Sequence, residues 1–264
     1  MKTIPLEYGK FYHIYNRGIN GCNLFYEPEN YEYFLFLYDK YISPVVETYA
    51  WVLMRNHFHV LVRIKKEDDI PFMVQTPEGL KDPSGSGKNL SASARPESVL
   101  KMKEKMKGTN LIYQTPEGLK DPSGSGKNLS ESYRPESVSI PKKYNPTNQF
   151  SHLFNAYTKA VNIRFHRTGS LFEHPFRRIR IESENHLKYL VYYIHHNPIH
   201  HGFCEHYLDY PWSSYITMIS PKKTKLSRAE VLEWFGHKEK FEKYHAVEQL
   251  EKLNELKIDY LNDQ

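Results

Sequence analysis

The chain has 264 residues, 25% of them charged, a formal net charge of +5 and only two cysteines, Cys22 and Cys204. Two cysteines argue against a disulfide framework, no stretch reaches the roughly 18 apolar residues of a membrane span, and the opening MKTIPLEYGKFYH lacks a signal-peptide apolar region, so a cytoplasmic protein is expected. Residues 75–149 carry 12 Lys and Arg against 8 acids, which leaves the rest near neutral, so any nucleic-acid surface there must come from placement and not from excess charge.

Residues 10–18 (KFYHIYNRG) read as a strand rich in aromatics. Residues 28–41 place Tyr31, Phe34, Leu35, Tyr38 and Tyr41 at the spacing of an amphipathic helix. Residues 45–54 (VVETYAWVLM) form a second strand and 57–64 a third, joined through Arg55-Asn56 as a tight hairpin turn. Residues 150–167 are helical, with Phe154, Tyr157, Val161 and Phe165 along one side. Residues 176–181 (FRRIRI) alternate as a strand. Residues 183–196 form a helix that Ser183 caps and Pro198 ends. Ser227-Arg228-Ala229-Glu230 has the form of a capping box, and the remainder to Gln264 reads as one or two charged amphipathic helices. This order predicts an α+β domain, a ferredoxin-like antiparallel sheet with helices on one face, followed by C-terminal helices.

A near-identical repeat interrupts the pattern. Residues 75–99 and 114–138 differ only at Ala92/Glu131 and Ala94/Tyr133. The repeat is Pro, Gly, Ser and Lys with almost nothing to bury, so disorder is expected of it, not a stacked solenoid. The expected organisation is one domain from 1–66 and 150–216, an insert at 67–149, and a helical C-terminal region at 217–264.

The chemistry concentrates in two stretches. In Asn56-His57-Phe58-His59, strand alternation puts His57 and His59 on one face and Phe58, Val60 and Val62 on the other. The imidazoles then sit about 7 Å apart along the strand, close enough to converge on one ion. An ordinary pair of hydrogen-bonded sheet histidines fits that spacing equally well. In Tyr193-Ile194-His195-His196-Asn197-Pro198, about 100° per residue sets Tyr193 and Asn197 together on one shoulder of the face marked by Leu187, Leu190, Val191 and Ile194. A structural tyrosine, and an asparagine that merely ends a helix, would satisfy the same pattern.

Taken together, the stretches Tyr12-His13-Ile14-Tyr15-Asn16-Arg17-Gly18, Met54 to His59, Gly169-Ser170-Leu171-Phe172 to Ile181, Tyr193 to Pro198, and Trp212-Ser213-Ser214-Tyr215 resemble the single-tyrosine HUH transposases of small bacterial insertion sequences, and most closely their REP-associated branch. The resemblance implies that His57, His59 and Asn197 bind a divalent metal, Mg²⁺ or Mn²⁺, and that Tyr193 is the nucleophile. The implied activity is cleavage and rejoining of single-stranded DNA through a 5′-phosphotyrosine. Single-stranded or hairpin DNA is the implied partner, with no membrane, and monomer and homodimer are both open. Asn16, Arg17, Arg55, Arg177 and Arg178 are the candidate DNA contacts, since arginine pairs bidentately with phosphate or guanine. Arg55 stands where the family often has proline, and the repeat insert departs from the family pattern. Two other readings compete: a weakened or domesticated relative that binds repeat hairpins, and a zinc hydrolase that adds a third histidine to His57 and His59. His195, His196, His200 and His201 are read as exposed or DNA-facing.

Overall fold

The computed structural model describes residues 4–73 and 142–246. The repeats at 75–99 and 114–138 and the chain after 246 lie outside the described residues. Four strands, β1 (Phe11–Arg17), β2 (Val46–Leu53), β3 (His57–Ile64) and β4 (Arg177–Ile181), form one sheet in the order β2-β3-β1-β4. Every neighbouring pair is antiparallel. Helix α1 (Pro28–Tyr41) joins β1 to β2, and α2 (Pro146–Arg164) precedes β4. This is the split βαβ arrangement of a ferredoxin-like sheet, the α+β fold the sequence predicts.

Alternation along the strands makes two cores. Tyr12, Ile14, Phe58, Val60, Val62 and Ile64 turn to one face, where Phe34 and Leu37 of α1 and Phe154, Tyr157 and Val161 of α2 meet them. Helices were expected on one face only, but the other face is also covered, by α3 (Glu184–His200) through Leu187, Leu190, Val191 and Ile194, whose apolar stripe needs a second core to bury it. Each of these side chains contributes about 1.5–3 kcal/mol when fully buried. Two helices of the C-terminal region, α5 (Arg228–Trp234) and α6 (Lys238–Ala246), add Val231 and Phe241 to this second core, and Phe235 joins them from the turn between, with the short α4 (Tyr215–Ile219) between them and α3 in the chain. The described part of the C-terminal region therefore belongs to the same compact unit as the sheet. Between Thr48 and Ala50 the β2–β3 register shifts, and the extra residue lets Tyr49 and Ala50 both enter the second core.

Several boundaries differ from expectation for local reasons. Helix α2 starts at Pro146, with Asn145 accepting a hydrogen bond from Asn148 N–H, because proline favours the first helical position. Ser183 caps α3 as expected, accepting from His186 N–H. Pro198 does not end that helix but lies inside its last turn, where the missing N–H removes only one intrahelical bond. His201 N–H closes the helix on the Asn197 carbonyl. The Ser227–Glu230 capping box does not form. Glu230 instead accepts from Tyr49 Oη at 2.7 Å and from Arg63 Nη1 at 3.0 Å, a charged interaction stronger than a backbone cap. At the end of β1, Gly18 passes so close to Cys22 that a Cβ would collide with its carbonyl oxygen, so only glycine fits there.

Candidate active site

The site lies on the sheet face that α3 covers. The register pairs Tyr15 with His59 and Arg17 with His57 across β1 and β3, so alternation brings His13, Tyr15, His57 and His59 to this one face. From the helix, Tyr193 sets its ring edge-on to His59, with centroids 5.6 Å apart. One turn further, Asn197 Oδ1 lies 3.1 Å from His57 Nε2. Four residues from two segments more than a hundred positions apart thus lie together on this face.

The ring nitrogens are held in a definite way. His57 Nδ1 lies 2.8 Å from Asn56 Oδ1, an oxygen that can only accept, so Nδ1 carries the proton. His57 Nε2 then presents a lone pair to Asn197 Oδ1, itself an acceptor. A neutral imidazole has one N–H and cannot donate to both amide oxygens. A metal cation between the two atoms would satisfy both lone pairs. Asn197 is buried, and its Nδ2 finds no hydrogen-bond partner among the described residues. His59 Nδ1 lies 3.0 Å from His13 Nε2. Burial, reinforced by His13, His57 and His201, pushes His59 well below the ordinary histidine value. Burial likewise lowers His13 to about 3, with His186 adding to the effect. Both rings are therefore neutral near pH 7, the protonation state in which histidine ligates metals. Two imidazoles and an amide oxygen form a mixed donor set that suits Mn²⁺ or Mg²⁺ and also accepts Zn²⁺. Among the described residues, no three His, Cys, Asp or Glu side chains are placed to hold a metal ion.

The candidate DNA contacts separate. Arg17 and Arg177 flank the same face and share one carboxylate, with Arg17 Nε 2.6 Å and Arg177 Nη2 4.0 Å from Glu173. Arg177 also lies over the Tyr15 ring, and Arg55 is exposed at the hairpin tip. Arg178 takes the opposite parity on β4 and sits 4.0 Å over the Phe176 ring, against the α2 core. Asn16 is buried and tied to the Glu173 carbonyl and the Arg17 N–H. The structure gathers Arg17 and Arg177 near His57 and His59 but not Arg178, and Asn16 faces inward.

The histidine cluster also divides. His200 and His201 are exposed as expected, and His201 brings its ring 5.3 Å from that of His57. His195 is instead buried and His196 half-buried, bonded to Tyr207 Oη. The helix α6, from the region expected to form charged amphipathic helices, covers them: His195 Nδ1 lies 3.0 Å from His245 Nε2. Sequence reasoning also missed His13. Alternation puts it on the Tyr15 face, but only the β3-β1 pairing reveals His59 as its neighbour.

The fold and these side chains define an α+β domain with a two-histidine, one-amide site beside a tyrosine. No protein-family profile matches the chain, and no curated protein matches it. One solved structure is similar, a REP-associated tyrosine transposase bound to a REP hairpin, at 12% identity over 84% of this chain and 86% of that one, with a TM-score of 0.46. At that level of similarity, nothing about this chain's chemistry follows from it. Among the described residues, no helix is long and apolar enough to cross a membrane.

Proposed function

We propose that this protein is a metal-dependent transposase that cleaves and rejoins single-stranded DNA through a covalent 5′-phosphotyrosine on Tyr193, acting in the cytoplasm on hairpin-forming repeats. The observation that carries this reading is the placement of Tyr193 against His59 while Asn197, on the same helical shoulder, meets His57. His57, His59 and Asn197 would hold a divalent cation, which would supply charge neutralisation at the scissile phosphate. Tyr193 supplies the nucleophile. Its Oη bonds to phosphorus, the 3′ oxygen departs and takes up a proton, and the phenol proton passes to solvent. The phosphotyrosine ester keeps the bond energy, so a second 3′-OH can displace Tyr193 and rejoin the strand without a nucleotide cofactor. Arg55, Arg17 and Arg177 hold the DNA backbone by phosphate contacts, which fix register without reading sequence.

The test is incubation of the full chain with labelled single-stranded DNA from its gene's flanking repeats and Mn²⁺, followed by a denaturing gel. A protein–DNA adduct that disappears with Tyr193→Phe and with chelator is the expected result. Hairpin binding without any wild-type adduct would replace this reading with that of a DNA-binding relative.

A further inference from the structure

Resting on that metal site, we infer that His13 is a positioning residue that accepts the His59 Nδ1–H and so leaves His59 Nε2 as the nitrogen available to the cation. His13 Nε2 and His59 Nδ1 are 3.0 Å apart. The two rings lie within 20° of coplanarity, with centroids 5.1 Å apart. That centroid separation exceeds the N···N distance by about two ring radii, so the rings meet end to end and do not stack face on face. This is the geometry of an in-plane N–H···N hydrogen bond. Tyr15 lies against both rings, at 4.8 Å from His13 and 5.5 Å from His59, and restrains their common plane.

The other ligand is held in the same manner, with His57 Nδ1 donating to Asn56 Oδ1 at 2.8 Å. Each ligand imidazole is therefore gripped at Nδ1 and presents Nε2. Outer partners of this kind fix tautomer and ring orientation, and their loss usually weakens metal binding 10–100-fold. Asn56 Oδ1 can only accept, so it fixes its tautomer outright. His13 can donate or accept at Nε2, and it accepts there when its own proton sits on Nδ1. A neutral imidazole in this place, instead of the commoner carboxylate, also adds no negative charge to the donor set.

Two measurements decide it. Mn²⁺ alone is titrated into the full chain and followed by electron paramagnetic resonance, for wild type, His13→Gln and His13→Leu. Glutamine keeps an acceptor and is expected to bind near the wild-type level, whereas leucine is expected to raise Kd about 10–100-fold. Wild type and His13→Leu binding equally would overturn this inference alone, and a wild type that takes up no Mn²⁺ would overturn the metal reading itself. Should the leucine variant fail to fold, long-range ¹H–¹⁵N spectra of wild-type imidazoles remain decisive. The expected pattern is a proton on His59 Nδ1 and none on His13 Nε2, and a proton on His13 Nε2 overturns the assignment.

Discussion

Replacing His245 with glutamine should make the protein more resistant to acid, by an amount that can be worked out from its hydrogen bonds. Trp51 N–H donates to Ser214 Oγ at 2.9 Å, and Ser214 Oγ meets His195 Nε2 at 2.7 Å. His195 Nδ1 meets His245 Nε2 at 3.0 Å, and His245 Nδ1 meets the Phe241 carbonyl at 2.8 Å. The terminal carbonyl can only accept, so His245 carries its proton on Nδ1 and accepts at Nε2. His195 must then donate from Nδ1 and accept the Ser214 hydroxyl at Nε2. Every donor has one acceptor only when both rings are neutral, and a further proton has no partner. Burial accordingly lowers His245 to about 3 and holds His195 well below its ordinary value. A folded-state value below the unfolded 6.5 means that the unfolded chain binds more protons between those limits, so stability is full above pH 6.5 and falls as the pH drops toward 3. At pH 5 the loss from one such histidine is about 2 kcal/mol. Glutamine can accept from His195 through Oε1 and donate to the Phe241 carbonyl through Nε2, which preserves the chain without a titrating group. Urea unfolding at pH 7.5 and pH 5, with chelator present, should show His245→Gln gaining about 2 kcal/mol on wild type at the lower pH. An unchanged difference between the two pH values would refute the neutral-chain reasoning.

Two other substitutions test the surrounding structure. Phe241 is fully buried among Tyr215, Phe235 and His245, so Phe241→Ala should cost about 3–5 kcal/mol in urea unfolding. Arg177 and Arg178 occupy opposite sheet faces. Arg177→Ala is expected to weaken single-stranded DNA binding and lower its salt dependence by about one phosphate contact, while Arg178→Ala should leave that salt slope unchanged in a fluorescence anisotropy titration.

Patterns confined to one element were legible in the sequence. The helix at Pro28–Tyr41 and the strand at His57–Ile64 occur where their periodicity places them. Tyr193 and Asn197 share a shoulder because Pro198, although misread as a terminator, falls too late in the helix to disturb the turn between them. Signals that depend on distant partners were hidden. Glu230 has the right spacing for a cap, yet Arg63 and Tyr49, brought near by the fold, take its carboxylate. His195 looked exposed because nothing local reveals that α6 returns to cover it. The parity of Arg177 and Arg178 was readable, since adjacent strand residues cannot share a face; pairing both with DNA overlooked it.

The shape of the site depends on how α3 is held. His57 and His59 come from β3, which is flanked by strands on both sides, so their backbone is fixed by the sheet. Tyr193 and Asn197 come from a helix that touches the sheet mainly through aliphatic side chains, and such contacts tolerate sliding better than hydrogen bonds do. Rotating α3 by one residue would turn Tyr193 about 100° away from His59. His195 lies two residues from each of them, about 200° around the helix, and its two ring nitrogens are bonded in opposite directions. One bond runs through Ser214 to the backbone of β2, and the other runs to α6. A directional polar chain on one side of the helix thus sets the angle at which the opposite side presents its phenol and amide. Buried polar networks specify a single arrangement only when every member is satisfied, and this one is satisfied only with α6 in place. The C-terminal helix, which carries no residue of the site, belongs to the support that fixes how Tyr193 and Asn197 are presented.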